Sequence, residues 1–179
     1  MSKRALIPFE LPDHLAYYLY FQLKTPVENI NGYESKALHV SKRSKLGELI
    51  LLLLEETDKP IKVKEGFTLY ISIPVRIKQN KEESFVENRY SFVYLSEKSR
   101  ESIIKVFQAF FETNLFSFVD GVAFYREGKK GKQNAAIIEF LQKHRVPFNE
   151  SEFERYKKQY YRSKKACEPP LNKLLKNLG

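Results

Sequence analysis

The sequence predicts an α+β protein, with a mixed N-terminal core holding an antiparallel hairpin and several helices, followed by a small basic helical region. Three observations predict it. Helical and strand periodicities alternate irregularly along the first two thirds of the chain, unlike the regular alternation of a doubly wound sheet. A strongly alternating segment at 66–77 and a second at 88–95 flank a charged loop, the pattern of a long-looped hairpin. The charge is also uneven. The chain has 179 residues with 31 Lys+Arg, 22 Asp+Glu and a net charge of +9. Residues 1–125 hold 17 basic and 16 acidic side chains, whereas residues 126–179 hold 14 and 6. This split predicts a boundary at the linker-like run from Arg126 to Asn134, giving a core domain at 1–125 and a basic helical region at 126–179.

Taken in order, residues 5–10 read as a short strand. Asp13 caps a helix whose Leu15, Tyr18, Leu19 and Leu23 recur at helical spacing, and Pro26 ends it. Residues 36–41 alternate as a strand. Ser44 caps an apolar helix over 45–56, with Leu46, Leu49, Ile50, Leu53 and Leu54 on one face and Leu51 and Leu52 widening it, which predicts burial on more than one side. In the segment 66–77, Phe67, Leu69, Ile71, Ile73 and Val75 form one face and Thr68, Tyr70, Ser72 and Arg76 the other, with Pro74 at an edge or bulge. Ser96 caps a helix to about residue 111, built on Ile103, Ile104, Phe107, Phe110 and Phe111. Thr113 or Asn114 then restarts a further helix carrying Leu115, Phe118, Val119 and Val122.

The basic region holds two helix signals. The first spans 134–145, with Ile137, Ile138 and Leu141 on one face, and Val146-Pro147 stops it. The second starts at Asn149, with Glu152 in place to close a capping box and Phe148 and Phe153 at staple positions; Ser151 and Glu154 form a competing pair. Within it Phe153, Tyr156 and Tyr160 make the apolar stripe. Arg155, Lys158, Arg162 and Lys165 make a separate basic stripe flanked by Lys157, Tyr161 and Lys164. Over 134–165 this resembles a helix-turn-helix unit in the loose sense, two helices joined by a short loop with the second one basic. The loop carries Val146-Pro147-Phe148-Asn149 where that pattern often has Gly.

A row of cations on an anchored helix suits a phosphate-lined groove, since each one displaces condensed counterions. The sequence therefore predicts a non-enzymatic nucleic-acid-binding protein, DNA ahead of RNA, with a regulatory, replication or mobile-element accessory role. The contact residues expected are Lys129, Lys130, Lys132, Arg155, Lys157, Lys158, Tyr161, Arg162, Lys164 and Lys165. The alternative is a protein-interaction or assembly subunit, and the Leu171, Leu174, Leu175 and Leu178 tail suggests a partner or homodimer contact.

Enzyme patterns are weaker. Asp13 followed by Glu34-Ser35-Lys36 resembles a metal-dependent nuclease pattern in which two carboxylates hold a divalent ion and a Lys activates water. That pattern requires neighbouring strands, whereas Asp13 reads as a helix cap. Gly128 to Lys132 lacks the spacing of a phosphate-cradling loop. His14, His39 and His144 are scattered, so no metal or other cofactor is expected. Cys167 is the lone cysteine. With no internal disulfide available and no apolar run approaching the roughly 20 residues of a membrane span, the expectation is a cytoplasmic protein with no membrane contact.

Overall fold

The structure is a computed structural model that describes residues 4–23, 27–30, 33–59, 69–74, 92–125 and 131–165. The α+β class is observed. The chain divides into two compact units, one of Met1–Pro12 and Leu23–Ile103, the other of Asp13–Gln22 and Ile104–Gly179. These units are drawn differently from the 1–125 and 126–179 partition that charge suggested, because the helical unit takes in Asp13–Gln22 and residues 104–125 as well.

The first unit is built on strands β1 (Arg4–Phe9), β2 (Glu28–Ile30), β3 (Tyr33–His39) and β5 (Leu69–Pro74), in the order β1-β5-β3-β2. β5 lies antiparallel to β1 and parallel to β3, and β2 lies antiparallel to β3. A second, two-stranded sheet pairs β4 (Leu54–Thr57) antiparallel with β6 (Phe92–Leu95). The hairpin expected between 66–77 and 88–95 is thus corrected: their described strands pair elsewhere. The reason is visible in β5, where Leu69, Tyr70, Ile71, Ser72 and Ile73 are all buried. A strand with neighbours on both edges and cover on both faces needs no polar face, so its alternation did not mark a solvent-facing hairpin.

Helix α2 (Lys45–Leu52) starts where expected, with Ser44 Oγ accepting from the Gly47 amide at 3.0 Å. It stops earlier. Leu53 is the C-cap, and residues 54–56, expected to continue the helix, lie in β4 instead. Only Gly47, Ile50 and Leu51 are buried, and Leu52 is 78% exposed, which corrects the expectation of burial on several sides. Gly47 is required by crowding: a Cβ there would run into the Ser41 carbonyl oxygen and crowd Ser44 Oγ. Gly47→Ala is expected to cost about 1–3 kcal/mol, the range for overpacking, read as a lowered denaturant midpoint.

The second unit is helical, formed by α1 (Asp13–Gln22), the Ile104–Tyr125 portion of α3 (Glu97–Tyr125), α4 (Lys132–Lys143) and α5 (Glu150–Lys165). α3 runs unbroken through the position where two helices were expected. Thr113 and Asn114, expected to cap a new helix, bond back to the carbonyls of Ala109 and Phe110, both at 2.8 Å. These residues satisfy the preceding turn from within the helix rather than ending it.

The core of this unit is aromatic. Phe140 is ringed by Tyr18, Phe111, Phe118 and His144, with centroids at 6.0, 5.8, 5.6 and 4.1 Å. Tyr156 packs on Phe111 at 5.3 Å, and Tyr160 on Phe116 at 5.7 Å. α4 is closed just past its C-cap by Arg145, which adopts φ 56°, with its amide bonded to the Gln142 carbonyl and that of Val146 to Leu141. This is the Schellman arrangement, with Arg in the left-handed position usually given to Gly.

His144, buried at the α4 C-cap, places Nδ1 2.8 Å from the Phe140 carbonyl. Burial holds its imidazole below the ordinary value; the Phe140 bond opposes this and the Lys143 charge adds to it. The fold therefore prefers the neutral ring, a contribution complete above pH 6.5 and lost as pH falls below it. Melting curves of the parent and His144→Gln between about pH 7 and pH 5 should show the larger fall in the parent.

A candidate nucleic-acid interface on α5

The start of α5 is fixed locally. Asn149 Oδ1 accepts from the Ser151 amide at 3.0 Å, and the rings of Phe148 and Phe153 sit 5.7 Å apart as the staple requires. Glu152, expected to close the capping box, instead directs its carboxylate to His14 Nδ1 at 3.3 Å and to Arg155 at 3.5 Å.

Tyr156 and Tyr160 are buried, and they orient the rod. The Tyr160 hydroxyl donates to Asp120 Oδ1 at 2.7 Å; burial first, and this carboxylate second, push its phenol well above the usual range, so it stays a donor. With these residues facing inward, the 100° step of a helix puts Lys158 and Arg162 on the opposite side, where both are exposed.

The expected contact residues are not equivalent. Arg155 is half exposed but lies over the Tyr156 ring at 4.9 Å and pairs with Glu152. Lys157 is paired with Glu154 at 3.0 Å. Lys164 is held 2.8 Å from the Asp120 carboxylate of α3. Lys158 and Arg162 make no ion pair among the described residues, and exposed Tyr161 lies beside them with its ring 5.7 Å from Tyr160. Lys132 opens α4 and is half-buried. Lys129 and Lys130 lie outside the described residues, as do Cys167 and the Leu171 to Leu178 tail, and nothing is described of the Lys165 side chain.

Sequence reasoning missed the acidic partners. Asp120 stands 44 residues before Lys164, and no local pattern links the two. As for the nuclease pattern, Asp13 is the first residue of helix α1 while Glu34 and Lys36 lie on β3, and Lys36 Nζ donates to the Leu23 carbonyl at 3.0 Å. Among the described residues, no group of three or more His, Cys, Asp or Glu is placed to hold a metal ion. No helix among them is long and apolar enough to cross a membrane.

Fold and site together define an α+β protein with a helical unit that presents a basic helix face. No family model, curated protein or solved structure matches the chain.

Proposed function

We propose that this protein binds nucleic acid, DNA ahead of RNA, through the outward face of α5, as a non-catalytic binding protein. The observation that carries this reading is the pair Lys158 and Arg162, exposed one turn apart and free of ion pairs among the described residues, on a rod anchored by Tyr156 and Tyr160. Unneutralised cations can exchange condensed counterions for protein contacts, whereas Arg155, Lys157 and Lys164 must first leave a carboxylate. A straight helix fits the roughly 12 Å major groove of B-form DNA. The deep, narrow major groove of double-stranded RNA does not admit it.

Fluorescence anisotropy at about 50 mM salt, where phosphate contacts are strong, tests the reading with labelled DNA and RNA duplexes of one sequence. Saturable binding that is tighter for DNA is the expected result; no binding of the DNA duplex rejects it. One observation favours the second reading, a protein-interaction subunit. Phe124 and Tyr125 at the end of α3 are 70% and 87% exposed, an adjacent aromatic pair of the kind enriched at protein interfaces.

A further inference from the structure

His14 of α1 is buried, and both of its ring nitrogens face oxygen. Nε2 lies 2.8 Å from Gln108 Oε1 of α3. The Gln108 amide is held in that orientation by its own Nε2, which donates to Glu112 Oε1 at 2.9 Å. A carbonyl oxygen only accepts, so His14 Nε2 carries a proton. Nδ1 faces a second acceptor, Glu152 Oε1 of α5, at 3.3 Å. A neutral imidazole has one N–H and satisfies one of the two; the imidazolium satisfies both.

We propose that His14 is a proton-operated clasp on α5. Protonated on both nitrogens, it ties α1 to α3 through Gln108 and to α5 through Glu152. Loss of the Nδ1 proton sets a nitrogen lone pair against a carboxylate and loosens the first half of α5. The groups facing the ring on each element fit this use. From α3 come Gln108, with the buried Glu112 behind it, and the Phe111 ring at 5.6 Å. From α5 come Glu152 and the Tyr156 ring at 6.0 Å. Glu152 also has Arg155 at 3.5 Å and accepts from the Tyr156 hydroxyl at 3.4 Å, so its carboxylate keeps partners when His14 lets go. That makes the change a local release rather than unfolding. On α1 itself the neighbouring Asp13 is exposed. The inference concerns how α5 is held and stands apart from what its outward face binds.

The test uses the uniformly ¹⁵N-labelled full chain and reads both the His14 ring nitrogens and amide exchange in residues 153–158, corrected for intrinsic rates, at about pH 5.5 and pH 8, on either side of histidine titration. The local readout matters because His144 changes global stability in the opposite sense. At the lower pH both ring nitrogens of His14 should be protonated, and the α5 amides should exchange about tenfold more slowly than at the higher pH, a range that local opening spans. Glu152→Gln should abolish that pH difference. Equal protection at the two pH values, a singly protonated His14 at the lower one, or a pH difference that persists in Glu152→Gln would overturn the proposal.

Discussion

Phe140→Ala is expected to lower unfolding free energy by about 3–5 kcal/mol, the range for removing a buried aromatic ring. Phe140 is fully enclosed and touches rings from α1, α3 and its own helix, so no single neighbour can close the space it leaves. The loss combines apolar burial with a cavity lined by rigid rings. Phe124→Ala, at the exposed end of α3, removes the same atoms and should change stability by no more than about 0.5 kcal/mol. Urea unfolding of both variants checks the pair. Equal effects would mean that the aromatic cluster is not the core of the helical unit.

Reversing the charge of both unpaired cations, with Lys158→Glu and Arg162→Glu together, is expected to reduce duplex affinity by two orders of magnitude or more. A hydrogen bond to a charged group contributes about 1.5–3 kcal/mol, so each lost phosphate contact is worth on the order of tenfold. Both side chains are exposed and unpaired among the described residues, so the melting temperature should stay near that of the parent. Lys157→Glu, which leaves the outward pair intact and breaks an ion pair with Glu154, should cost far less affinity. Anisotropy titrations of the three proteins at one salt concentration compare them directly.

Much of α5 was legible because its signals are local. Asn149 caps it, Phe148 meets Phe153, and the seven-residue span from Phe153 to Tyr160 assigns the inward face; all of these involve neighbours in sequence. What failed depended on distant partners. Thr113 and Asn114 are good caps only when the chain before them is free to end, and the packed length of α3 keeps it helical. The alternation at 66–77 could not reveal that β5 would lie between β1 and β3. The basic stripe was visible, but its division into paired and unpaired cations was not. Asp120 neutralises Lys164 from another helix, and Glu152 serves His14 and Arg155 instead of the cap. The +9 of the whole chain therefore overstates what α5 offers a polyanion.

The salt dependence of duplex DNA affinity, compared between the parent and Lys158→Gln/Arg162→Gln, tests the central claim most directly. Each phosphate neutralised contributes about 0.9 to the slope of log affinity against log salt, so removal of two contacts should flatten the slope by roughly 1.8. Parallel lines of equal height for the two proteins would contradict a nucleic-acid interface on the outward face of α5.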